Sequence, residues 1–280
     1  MALTCIKTTL AVALCALAAM LPSAACAQAA ADADILAAKE ASQKAQWKAL
    51  ETLRVRLAGH PLEAYPAYWL LIGAIDRANP ADVQAFLARY KEGPLVENLR
   101  REWLRALGAS GQWDLFRAEF PKVSGDDTEI TCYALRERLA RNDAEAVTEA
   151  RVLFLAGREA PTACDAVFAT LAAEKALGSA EAWERIRKVL AASLARDAKR
   201  ANAMLPAKDA MVEKQLDRAT ADPAGFLAKE KAVSTRAARE LAIYAIERLA
   251  RSKPEAAAEH LEKLAPQLGA EDAQIGRAHV

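Results

Sequence analysis

Residues whose types and spacing could do chemistry are few in this 280-residue chain. Two acid pairs, Glu97 with Glu102 and Glu181 with Glu184, have the composition of a glycosidase dyad, in which one carboxyl donates a proton and the other acts as base or nucleophile. Such a pair must flank a cleft, and burial must keep one acid protonated. These four stand among Arg and Lys on polar helix faces and read as solvated surface. The histidines, His60, His260 and His279, are too few and too scattered for a metal cluster. Cys132 and Cys164 have no histidine near them in sequence, which argues against a catalytic thiol. Tyr65, Tyr68, Trp69, Trp103, Trp113 and Trp183 could stack on sugar rings, but they recur at helical spacing and read as core. A Gly-rich phosphate loop, HExxH, CxxC and GxSxG are all missing from the sequence. The expectation is a chain with no catalytic residue, no cofactor and no metal site of its own.

The elements that would position these residues are helices. The chain is 53% hydrophobic but 6% aromatic, with alanine supplying much of the apolar total. That composition favours close-packed helices over sheets, which want Val, Ile, Thr and aromatics. Residues 1–27 read as a secretory signal: Lys7, an apolar run over 10–21 that Pro22 breaks, and Ala25-Cys26-Ala27 as the cleavage site. A lipoprotein reading with Cys26 acylated is the lesser alternative, because Ser23 stands where Leu is usual. Export to the periplasm is therefore expected. Lys and Arg number 38 and Asp and Glu 37; the leader removes only Lys7, leaving 37 of each. A balanced surface carries no electrostatic footprint for nucleic acid.

After a linker over 28–31, apolar periodicity and capping signals predict about a dozen helices. The spacing places them over 34–57, 65–75, 80–92, 94–107, a short stretch around Trp113–Phe120, 128–141, 143–156, 161–177, 179–190, 194–205, 209–219, a short segment after Pro223, 235–251 and 254–268. Asn79-Pro80-Ala81-Asp82 is a helix opening, with Asn as cap and Pro in the first turn. Gly59, Gly93, Gly108 and Gly157 read as stops. Loops are short and helices pair into hairpins of roughly 35–40 residues without a strict repeat consensus, which is the spacing of an α-solenoid. The expected fold is all-α, a superhelical horseshoe of antiparallel helix hairpins; the alternative is a compact all-α domain.

Residues 130–168 organise the rest: helix, turn, helix, turn, helix, with Cys132 in the first and Cys164 near the start of the third. Once the leader is gone these are the two cysteines left. In an oxidising compartment they can pair, a closure worth up to roughly 3–4 kcal/mol on the chain-entropy estimate. Two buried free thiols are the alternative.

Four groups of residues, in order, resemble the N-terminal part of the soluble lytic murein transglycosylases of Gram-negative bacteria. They are His60-Pro61-Leu62 followed by Tyr65 and Tyr68; Leu99 to Trp113 with Trp103, Leu104 and Leu107; Thr131-Cys132-Tyr133; and Gly157, Pro161, Cys164, Asp165 and Phe168. The resemblance covers roughly 33–270. It implies the superhelical U domain of such an enzyme, a Cys132–Cys164 disulfide, and a role in shaping a ring that guides peptidoglycan glycan strands. The whole enzyme also has a linker domain and a lysozyme-like domain. It cleaves the β-1,4 bond between N-acetylmuramic acid and N-acetylglucosamine without water, leaving a 1,6-anhydromuramoyl end. The Glu-Ser pair that carries the family's catalytic glutamate is not found here, so no catalytic residue is carried over and this chain alone is expected to be inactive.

The domain reading is thus a signal over 1–27, a U domain over 28–274 and a suspected non-native tail over 275–280, where Ile275-Gly276-Arg277-Ala278-His279-Val280 matches the translation of a common sequencing adapter. On this reading the chain is a truncated product, with Leu261, Leu264 and Leu268 left partly uncovered. The reading from another class is a stand-alone periplasmic helical-repeat adaptor for a protein or peptide partner.

Overall fold

The computed structural model describes residues 21–229 and 233–269. The first twenty residues of the leader, the 275–280 tail and His279 lie outside the described residues. Fifteen α-helices and no strand occur among the described residues, and by its internal contacts the chain divides into two compact units, Met1–Gly125 and Asp126–Val280.

The first unit holds α1 (Leu21–Gln43), α2 (Trp47–Arg56), α3 (Ala64–Ile72), α4 (Pro80–Tyr90), α5 (Pro94–Ser110) and α6 (Trp113–Glu119). The linker expected over 28–31 is instead helical, because α1 begins at Leu21 and runs through it; Pro22 sits in the first turn, where its missing N–H costs nothing. The helix expected over 34–57 is broken at Ala45, which takes a left-handed φ of 53°. Ala45 N donates to Ser42 O (3.1 Å) and Gln46 N to Ala41 O (2.8 Å), a closing pattern that satisfies the last carbonyls of α1 without a glycine. The break lets Trp47 swing across to α3's end, where its ring lies on Gly73 and leaves no room for a Cβ. Gly108, expected as a stop, is buried inside α5; the helix continues to Ser110, and Gly111 takes the left-handed turn at φ 71°. The opening of α4 is as read, with Asn79 Oδ1 accepting from Ala81 N at 3.1 Å. Leu50 and Leu57 close a small core with Ala38 and Ala41, backed by Trp69 and Leu70. Each such buried leucine contributes roughly 1.5–3 kcal/mol.

The second unit holds α7 (Thr128–Ala140), α8 (Ala144–Leu155), α9 (Cys164–Ala173), α10 (Ser179–Ala191), α11 (Ala195–Asn202), α12 (Glu213–Ala221), α13 (Pro223–Lys229), α14 (Arg236–Ala250) and α15 (Pro254–Leu264). Asp127 caps α7 through Glu129 N and Ile130 N, and Asp143 caps α8 through Glu145 N and Ala146 N. Arg138, in α7's last turn, reaches both Asp143 (2.7 Å) and Glu149 (2.8 Å), so the turn of this hairpin is held from both sides. The helix expected over 161–177 is shorter, since residues 161–163 form a turn before α9 and Lys175, at φ 61°, follows its end. Leu261, Leu264 and Leu268, expected to be partly uncovered, are 5–7% exposed. A 3-10 turn at Ala265–Gln267 folds Leu268 back onto the core, and Gln267 Oε1 accepts from Val233 N at 3.0 Å.

Candidate functional site

Cys132 and Cys164 are bonded, with their α-carbons 4.9 Å apart and both residues fully buried. The bond ties the middle of α7 to the first residue of α9. Around it pack Leu135, Ala150, Phe154, Val167 and Phe168. No thiol is left there for nucleophilic work.

The acid pairs are dispersed. Glu97 and Glu102 are five residues apart on α5 and each has its own partner, Ser124 Oγ at 3.1 Å for Glu97 and Arg105 for Glu102. Glu181 accepts from Gly178 N (3.0 Å) and from Arg151 (2.6 Å), while Glu184 pairs with Lys188 (2.7 Å). The Gly178 N–H, ahead of the nearby Arg151 charge, holds the Glu181 carboxyl below its ordinary range. A general acid needs the opposite shift.

His60 is turned into its loop, with Nδ1 accepting from Leu62 N (3.1 Å) and Nε2 at 3.3 Å from Asp32. Burial, ahead of the Lys263 charge, lowers the pKa of His260. Among the described residues no group of three His, Cys, Asp or Glu could hold a metal, and no helix is long and apolar enough to cross a membrane. Trp103 and Trp183 are core residues, 2% and 3% exposed. Tyr65 is partly exposed, with its ring 5.7 Å from that of Trp69; Tyr68 accepts from Asn98.

Two polar constructions take the place of the expected candidates. In the second unit Arg185 is 2% exposed and Asp197 1%. The Arg185 guanidinium donates to Phe154 O, to Arg158 O and to Asp197 Oδ1 (3.1 Å), and lies 5.1 and 5.3 Å from the rings of Phe154 and Phe168. Asp197 Oδ1 also accepts from Ala160 N at 3.1 Å, and Arg200 donates to Ala160 O, Pro161 O and Asp165. The knot pins the loop between α8 and α9, immediately before Cys164. The sequence carried a signal for it. Ala182, Arg185, Ile186 and Val189 lie on one helical stripe, as do Leu194, Asp197, Ala198 and Ala201, so both charges occupy apolar positions.

In the first unit, α2, α3 and α4 enclose an open groove of about 450 Å³. Its floor is Leu70, Leu71 and Phe86, and its polar rim is Glu51, Arg54, Asp82, Arg89 and Tyr90. Arg54 pairs with Glu51 and Arg89 with Glu63, whose Oε1 also lies 3.5 Å from Tyr90 Oη. Burial, ahead of the Glu63 charge, raises the pKa of the Tyr90 phenol, so it is neutral at physiological pH.

This succession of hairpins, with a buried cystine between the first and third helices of the second unit, matches solved structures over most of its length. Against an inactive variant of the lytic transglycosylase Slt from Pseudomonas aeruginosa, 88% of the chain aligns at 25% identity with a TM-score of 0.61. The chain resembles the superhelical domain of a soluble lytic transglycosylase. The 70-kDa soluble lytic transglycosylase from Escherichia coli aligns over the same 88% at 22% identity with a TM-score of 0.64. A complex of the 70-kDa enzyme with bulgecin A gives 21% and 0.64. The chain spans 40% of the length of each of these structures. No family model and no curated protein sequence matches it.

Proposed function

We propose that the chain serves as the helical scaffold of an exported lytic transglycosylase. In that role its hairpins frame the enzyme around peptidoglycan glycan strands. A lysozyme-like domain outside these residues would break the β-1,4 bond between N-acetylmuramic acid and N-acetylglucosamine and leave the 1,6-anhydromuramoyl product. The observation that carries this reading is the alignment of 88% of the chain, at TM-scores of 0.61–0.64, with 40% of the length of solved lytic transglycosylases. The dispersal of the acid pairs supports a scaffold rather than a catalytic unit. The signal read over residues 1–27 and the cystine both suit an oxidising periplasm.

Cosedimentation of the mature chain with purified sacculi tests the glycan contact, and digestion of the same sacculi tests catalysis. The expected result is retention in the pellet without muropeptide release. Release of anhydromuropeptides by this chain alone would overturn the division of labour, and a chain that stays wholly in the supernatant would overturn the glycan contact.

A further inference from the structure

Every charge on the rim of the first-unit groove is already matched. Glu51 pairs with Arg54 and Glu63 with Arg89. Asp82 stands exposed in the first turn of α4, where the positive end of the helix offsets it. An anion would have to displace a carboxylate from its guanidinium, and a lone exposed carboxylate is worth little to a cation in solution. Charge therefore selects an uncharged occupant.

Hydrogen-bonding capacity is not exhausted in the same way. Arg54 directs Nε and Nη2 to Glu51, and Arg89 directs Nη2 to Glu63, which leaves guanidinium N–H groups on both. Each carboxylate oxygen can accept more than one bond, so donors and acceptors stand side by side along the rim. A hydroxyl, which donates and accepts at once, meets both without breaking a pair. The lining residues all lie within α2, α3 and α4, whose backbone groups bond along their own helices, so the groove has no strand edge for a peptide backbone. Between the polar walls lies the apolar floor of Leu70, Leu71 and Phe86. A ligand that is uncharged, rimmed by hydroxyls and apolar on its faces is a saccharide, and about 450 Å³ is within the range of small-molecule sites.

We propose that this groove binds an uncharged disaccharide, its ring faces on Leu70, Leu71 and Phe86 and its hydroxyls between the guanidinium groups of Arg54 and Arg89 and the carboxylates of Glu51 and Asp82. The inference rests on the glycan-scaffold reading for the kind of sugar, an N-acetylated hexosamine, and for that alone.

The test is a 15N NMR titration of the full chain with N,N'-diacetylchitobiose, with its deacetylated cationic form and with the blocked peptide N-acetyl-trialaninamide. The diacetylated sugar should give saturable shifts confined to α2, α3 and α4, and the other two should bind at least about tenfold more weakly. Its affinity should not change when salt is raised to about 1 M, where charge attraction is screened. Ala85→Trp, at an exposed lining position, should fill the groove and abolish these shifts without altering the thermal melt. No saturable shift with the diacetylated sugar, equal binding of all three probes, or unchanged affinity in Ala85→Trp overturns the inference. If the chain pellets with sacculi but the groove ignores the sugar, the inference falls and the scaffold reading stands. If the groove binds the sugar but the chain stays in the supernatant, the inference stands and the glycan contact of the scaffold falls.

Discussion

Replacing Asp197 with alanine strips a charge from the centre of the second unit. Its Oδ1 accepts from Arg185 (3.1 Å), from Ala160 N (3.1 Å) and from Arg200 (3.3 Å). Breaking a buried pair by removing one partner costs about 3–5 kcal/mol, because the other charge stays behind without compensation. Arg185 would keep the carbonyls of Phe154 and Arg158 and the two aromatic rings, which places the expected loss near the lower end, about 3 kcal/mol. With a urea m value of about 2–3 kcal/mol/M, the midpoint should fall by about 1–1.5 M. Asp197→Asn keeps an acceptor at Oδ1 and should cost about half as much. The double variant Arg185→Met with Asp197→Leu should be more stable than Asp197→Ala, since it removes both charges and fills the space. Trp183 is the single tryptophan from Asp126 onward, so 19F-tryptophan NMR follows this unit alone during the titration. An Asp197→Ala midpoint within about 0.3 M of the parent would refute the reasoning, as would a double variant worse than the single.

Three other outcomes are expected. Cys132→Ser with Cys164→Ser should lower stability by up to about 3–4 kcal/mol, measured by thermal melting with and without reductant, and reductant should have no effect on the variant. Gly157→Ala should cost about 1–2 kcal/mol, since Gly157 sits at φ 66° and a Cβ would press on Lys188; a urea midpoint unchanged from the parent would contradict this. For pH, the folded-state pKa of Glu181 is depressed, so its contribution is present above the unfolded carboxylate value of about 4.3 and is lost as pH falls through the folded value. Glu181→Gln should therefore flatten the acid limb of a stability-versus-pH curve below about pH 4.3 and leave its neutral-pH slope unchanged.

Sequence reading succeeded where a single residue type forces a backbone state. Asn79 is a cap, and Pro80, Pro94 and Pro254 stand at helix starts, because each removes or satisfies an orphan N–H locally. It failed where tertiary packing decides. Nothing local marks Ala45 as a break; the turn exists because Trp47 gains the Gly73 face. Gly108 looked like a stop because glycine is a poor helix former, but its lack of a side chain serves a buried helix face instead. The division at Gly125 left no mark that periodicity could detect. The buried charges were within reach of the sequence, since Arg185 and Asp197 interrupt apolar stripes; a charge in such a place must find a partner. The groove in the first unit was out of reach, because its lining comes from three helices, and Arg54 and Arg89 stand 35 positions apart in the chain.

Among the described residues five that are not glycine, Ala45, Lys91, Asn142, Lys175 and Ser193, hold a positive φ just past helix ends. Asparagine tolerates that conformation; the other four pay about 1 kcal/mol each for it. Those four corners are an unexploited reserve. A directed-evolution campaign for heat tolerance would be expected to find glycine early at the exposed corners Ala45, Lys91 and Lys175, and to spare Ser193, whose hydroxyl accepts from Arg251.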